Sequence, residues 1–151
     1  MIEKYCENTI PAVSTEVSLV KQLADTVKNA DQAICALDFQ GGLNSIMDFC
    51  KRINGYVTET QPWQIAKDPA RKAELDSILY NTAEALRALA VLLHPVMPES
   101  TEKLWQSLGA NSSIGSIADQ KISEVAKWGQ LPAGSKVTKT PVLFPRLEEN
   151  K

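Results

Sequence analysis

The sequence is short of the groups that chemistry usually requires. It has one histidine, His94, and three cysteines, Cys6, Cys35 and Cys50, which form no C-x-x-C pair and leave an odd thiol. Neither a disulfide framework nor a zinc site is indicated, so the cysteines read as buried free thiols. No apolar run approaches a membrane span. The longest, ALRALAVLL at 85 to 93, is broken by Arg87, and Met1 is not followed by a signal-type apolar core. A cytosolic protein is expected. The glycine pair in QGGLNS lacks the lysine and following Ser of a phosphate-binding loop. Acidic residues are scattered, with no paired constellation for acid/base or metal work. His94 stands at an expected helix end before Pro95, where an imidazole meets the helix dipole favourably, and no serine or cysteine has a spacing that nominates it as a nucleophile. Catalytic and metal sites are therefore not expected. A net charge of −2 argues against a generally basic nucleic-acid binder, while leaving room for a local basic patch.

What is present is helical patterning. With 44% hydrophobic residues, 151 residues suffice for one domain with a sizeable core. Ser14 offers a cap, and Val17, Val20, Leu23, Ala24, Val27 and Ala30 recur at spacings of three and four, predicting a helix over about 15–31. A second stripe runs through Phe39, Leu43, Ile46, Met47, Cys50, Ile53 and Val57, with Gly41 and Gly42 predicting a bent or late start. Asp68 as N-cap and Pro69 at the first helical position open a long helix to about His94, which Pro95 stops. Pro98 opens a shorter one whose apolar face is Leu104, Trp105 and Leu108, with Gly109 just past its end. Four such patterns with short connections make an all-α antiparallel bundle over 1–110. From 111 to 151 glycine, proline and small polar residues dominate. This irregular C-terminal segment, with one short extended stretch in KVTKTPVLFPRLEENK, is expected to pack on the bundle through Trp128, Val142, Leu143 and Phe144.

One position asks for more than packing. In ETQPWQIAKD, Pro62 fixes its own backbone and should push Gln61 toward an extended conformation, presenting Trp63 at a rigid corner. Lys51 and Arg52 come late on the preceding expected helix, and Lys67, Arg71 and Lys72 follow within about two turns. An aromatic edged by cations can hold unpaired nucleotides, with the five basic residues as candidate contacts to an RNA backbone. On these residues alone a tryptophan at a helix start is more often a packing anchor, and both readings stay open.

Three longer stretches carry a resemblance. INGYVTETQPWQIAKD, then LYNTAEALRALAVLLHPVMPESTEKLWQSLG, then LFPRL, in that order and spacing, resemble the C-terminal anticodon-binding domain of bacterial-type methionyl-tRNA synthetases. The specific elements are Asn54, Tyr56, Pro62 and Trp63, the double proline leading to Trp105, and the closing Phe144, Pro145 and Arg146. Valyl, isoleucyl, leucyl and cysteinyl synthetases carry similar helical domains, so each fragment alone is weaker than the set. The resemblance implies a class I synthetase anticodon-binding bundle that grips the CAU anticodon loop of methionine tRNA. Trp63 would stack on the first base, a cytosine, and Pro62 would shape its pocket. It further implies a catalytic domain of the parent synthetase as partner, using ATP with magnesium. That domain's HIGH-type and KMSKS-type signatures do not occur in these residues, so no cofactor is expected in this chain. The family helix whose Asn-x-x-x-Arg reads the cytosine does not occur either, which predicts a stretch of exposed apolar surface and Met1 as an internal methionine of a longer enzyme. The alternative from a different class is a helical protein-interaction module with Trp63 and Trp105 as anchors.

Overall fold

The structure is a computed structural model, and it describes residues 1–12, 14–140 and 142–144; Pro145 and Arg146 of the closing motif lie outside them. Eight α-helices are formed among the described residues: α1 (Ile2–Tyr5), α2 (Val17–Cys35), α3 (Phe39–Thr60), α4 (Pro62–Ile65), α5 (Lys72–Leu93), α6 (Pro98–Ser107), α7 (Ala110–Ile114) and α8 (Ile122–Val125). No strand is present among them, and the one bridge pairs Thr9 with Lys136. The all-α bundle is as the periodicity implies. None of the described helices is long and apolar enough to cross a membrane.

Helix α2 begins two residues later than its stripe suggests and is capped by Glu16, whose carboxylate accepts from the Ser18 amide at 3.2 Å. Ser14 is not the cap. Its hydroxyl lies 2.6 Å from that of Ser77, and its carbonyl accepts from the Trp128 indole at 3.0 Å. Leu19, Leu23, Val27 and Ala30 face inward and Val17 is exposed. Helix α3 is not delayed by its glycines and runs unbroken from Phe39. Asp38 caps it through the Gly41 amide at 2.8 Å, and Gly42 is where α2 and α3 meet. A Cβ there would fall 3.3 Å from Ile34 and 3.6 Å from the Ala30 carbonyl.

Helix α5 is central, touching α2, α3, α4, α6 and α8. Its apolar residues are buried over nearly the whole length, and two charges are buried with them, Glu84 and Arg87. They form a salt bridge of 2.9 Å. Glu84 also accepts the amides of Gly129, Gln130 and Leu131 at 3.0, 3.1 and 2.9 Å, while Arg87 donates to the carbonyls of Val125 and Lys127. A buried charge is tolerable only with such partners. This knot fastens the irregular segment to the bundle, helped by the Tyr80 hydroxyl, which donates to the Leu131 carbonyl at 3.1 Å. Gly109, at φ +69°, turns the chain where a Cβ would meet the Lys136 carbonyl oxygen at 2.3 Å.

Two expectations about packing are corrected. Cys35 is exposed and Cys6 and Cys50 are half-buried, because none of the three lies on a face fully covered by a neighbour. The Cys6 thiol donates to Asp76 at 3.3 Å, and partial burial first, then that carboxylate, pushes its pKa up to about 11. Trp128 packs as expected, but Val142 and Phe144 are exposed, at 76% and 65%, with Leu143 half-buried. Leu143 and Phe144 edge an apolar groove of about 580 Å³ between α3, α5 and α6, lined by Leu43, Met47, Leu89 and Leu93 among others.

Candidate nucleic-acid interface

The corner at ETQPWQIAKD is built from three short pieces. Helix α3 ends when the Gln61 amide reaches the Val57 carbonyl at 3.1 Å, and the Gln61 carbonyl then accepts from the amides of Gln64 and Ile65 at 2.8 and 3.3 Å to start α4. Gln61 is therefore the end of one helix and the cap of the next. It is not extended, as the following proline suggests, but left-handed, at φ 44° and ψ 58°. A left-handed residue reverses the chain within one peptide, which an extended one would not do; the tertiary turn overrides the local preference.

Within the single turn of α4 the side chains divide. Pro62 and Ile65 point inward and are buried, whereas Trp63 and Gln64 point out. Asp68 closes the corner by accepting from the Ala70 amide at 3.0 Å, but it caps the 3-10 turn Pro69–Arg71 and not the long helix, which begins at Lys72 without a side-chain cap. Trp63 is 45% exposed and its indole N–H has no hydrogen bond among the described residues. The other two tryptophans are used internally. Trp105 is fully buried and donates to the Gly115 carbonyl at 2.9 Å, and Trp128 donates to Ser14. Beneath the corner, Pro62 lines a cleft of about 320 Å³ together with Val57, Leu79, Leu86, Leu108 and Lys139.

The five basic residues do not form one unpaired patch. Lys51 is bound to Asp48 at 2.7 Å, and Arg52 spans Glu59 at 3.0 Å and the Ser18 hydroxyl at 3.1 Å. Arg71 makes a two-pronged pair with Glu74 at 2.7 and 2.6 Å, which raises the guanidinium's pKa and lowers that of the carboxyl. Lys72 pairs with Asp76, its pKa raised by that contact, and faces the Cys6 and Glu7 stretch. Lys67 alone of the five has no carboxylate partner among the described residues. It donates to the Gln64 side-chain oxygen at 2.7 Å, which holds it against α4 beside Trp63. Gln64 and Gln61 were not singled out from sequence. Gln64 could have been found by its i, i+3 spacing to Lys67.

The description of the family model that matches residues 17–138 is the anticodon-binding domain of tRNA ligase. Over 156 aligned residues the chain is 51% identical to a methionine–tRNA ligase of Streptomyces coelicolor, covering 99% of this chain and 29% of the relative. It is 35% identical to the methionine–tRNA ligase of Halalkalibacterium halodurans, covering 98% of this chain and 22% of that one. Among solved structures it resembles apo methionyl-tRNA synthetase of Mycobacterium tuberculosis, with a TM-score of 0.76 at 25% identity over 99% of this chain and 30% of the other. The same organism's methionyl-tRNA synthetase in complex with methionyl-adenylate gives a TM-score of 0.75 at 26% identity, over 97% and 28%. The chain thus spans less than a third of the length of these relatives.

Proposed function

The chain belongs to the anticodon-binding domains of tRNA ligases, and on that premise we propose that it is the anticodon-binding domain of a methionine–tRNA ligase and that it grips the CAU loop of methionine tRNA. The observation that carries the RNA reading is Trp63: a half-exposed indole without a hydrogen bond, on a corner whose two neighbouring inward residues are buried. Such a ring offers a π-face to a splayed base, worth roughly 1–3 kcal/mol in stacking. Pro62 sets the floor from which it projects. The first anticodon base is the one assigned to it here.

Of the candidate cations, Lys67 is the best placed to meet a phosphate, since only a neutral amide has to release it. Lys51, Arg52, Arg71 and Lys72 each hold a carboxylate and would exchange it for the RNA backbone, so their net contribution to affinity is smaller. Trp63 supplies stacking, which every base can accept, so it holds a base without identifying it. In this reading residues 1–110 and 111–151 act as one unit, and aminoacylation with ATP and magnesium takes place in a catalytic domain of a cytoplasmic parent enzyme.

The methionine relatives favour this over the valyl, isoleucyl, leucyl and cysteinyl alternatives, and the exposed Trp63 speaks against a purely structural anchor. The test is binding of hairpin RNAs whose loops differ only in the first anticodon base, at several salt concentrations. Expected is loop binding that weakens with salt, varies little with the first anticodon base, and falls roughly tenfold or more for Trp63→Ala. No binding of the loops, or no effect of Trp63→Ala, overturns the reading.

A further inference from the structure

Among the described non-glycine residues with positive φ, Glu7, Asn8, Leu37 and Gln61, only Gln61 precedes a proline. A side chain with a Cβ is disfavoured there, and the proline ring restricts the residue before it further. The side chain of Gln61 gives nothing visible in return. It is exposed and makes no hydrogen bond among the described residues, while its backbone amide and carbonyl serve both α3 and α4. A strained residue whose side chain makes no such bond directs attention to its conformation.

That conformation has one consequence at the surface. Because Gln61 is left-handed, the turn of α4 starts with Pro62 directed into the bundle, and one residue later the ring of Trp63 is directed out. We propose that Gln61 is a positioning residue for the RNA interface: its left-handed backbone, not its amide side chain, aims the Trp63 ring outward in the free protein. The proposal rests on the reading of Trp63 as a base-stacking platform. It adds that the platform is set before RNA arrives, so that binding does not have to order it.

The test compares Gln61→Gly, which adopts positive φ without penalty, with Gln61→Val, whose branched Cβ resists it. Two readouts are taken on the whole chain. The protein carries 5-fluorotryptophan, giving one fluorine resonance for each of its three tryptophans, assigned with Trp63→Phe. Affinity is measured for a hairpin RNA with a CAU loop. Gln61→Gly is expected to bind within about twofold of the parent with its Trp63 resonance in place. Gln61→Val is expected to shift or broaden the Trp63 resonance while those of Trp105 and Trp128 hold, and to bind about tenfold more weakly, the size of a lost stacking contact. Should Gln61→Val disturb the Trp105 resonance as well, Gln61→Thr carries the same expectation. The proposal is overturned if the branched variant leaves both the Trp63 resonance and the affinity unchanged, or if Gln61→Gly loses as much as Gln61→Val. Failure of the stacking reading looks different: Trp63→Ala would then bind as the parent does, whatever the spectra of the Gln61 variants.

Discussion

Two tryptophans divide this molecule. Trp105 lies in the region where α5, α6 and the 110–131 segment meet, fully buried, its N–H spent on Gly115. Trp63 lies on the corner between α3 and α5, half in water with its N–H unspent. Around Trp105 polar groups are matched inward: Glu84 collects three backbone amides, Arg87 two carbonyls, and Tyr80 another. Around Trp63 the polar groups are long, exposed and held by pairs that water can replace. The first region spends its chemistry on the fold. The second leaves it available, so that a partner of this chain meets an exposed indole there.

The largest effect should come from breaking the first region at its charge. Glu84→Ala leaves Arg87 buried without its carboxylate and orphans the amides of Gly129, Gln130 and Leu131. One guanidinium nitrogen of Arg87, Nη1, already lacks a partner, so the loss is not absorbed locally. A destabilisation of roughly 3–5 kcal/mol is expected in urea unfolding. A loss below about 1 kcal/mol would mean that the knot is wet and the contrast between the regions overstated.

A smaller effect tests the same region through pH. Burial, and then the charge of Glu84, push the Tyr80 pKa from an ordinary 10.0 up to about 12. The folded state therefore holds this proton more tightly than the unfolded chain does. The resulting stability is full below pH 10 and is lost as pH rises from about 10 to about 12, with a slope of at most about 1.4 kcal/mol per pH unit for one group. Cys6, raised from 9.0 to about 11, has the same sign and begins earlier. Unfolding of Tyr80→Phe measured across this range should lose about 1 kcal/mol at neutral pH, for the bond to Leu131, and show a shallower alkaline slope. An unchanged slope would place the tyrosine outside the dry region.

These two regions were not equally legible. The helices around Trp105 could be read because their apolar spacing, Pro98 and Gly109 all point to one geometry. The Glu84–Arg87 knot could not, since its partners lie about forty residues away and spacing along one helix says nothing of them. The cysteines and Phe144 were misjudged because apolar character does not say which face of a bundle stays open. At the corner, Pro62 and Trp63 announced themselves, whereas the left-handed Gln61 runs against the local rule and is imposed by the reversal from α3 into α4. The five basic residues were legible as charges, but the carboxylates that hold four of them are set by side-chain geometry that composition cannot give.

The smallest expected effect decides whether the comparison is one of kind. Trp63→Ala removes a ring that is already half in water from a turn whose anchors are Pro62 and Ile65. Alanine also favours the helical turn more than tryptophan does. The change in unfolding free energy should stay within about 0.5 kcal/mol, as for surface substitutions away from a structural feature. A tryptophan that anchors a core costs about 3–5 kcal/mol on the same truncation. The interaction-module reading, with both tryptophans as anchors, requires Trp63 to move toward that second figure. A urea titration of Trp63→Ala therefore separates an indole that builds the domain from one that the domain presents. In the second case the loss should appear only when RNA is added.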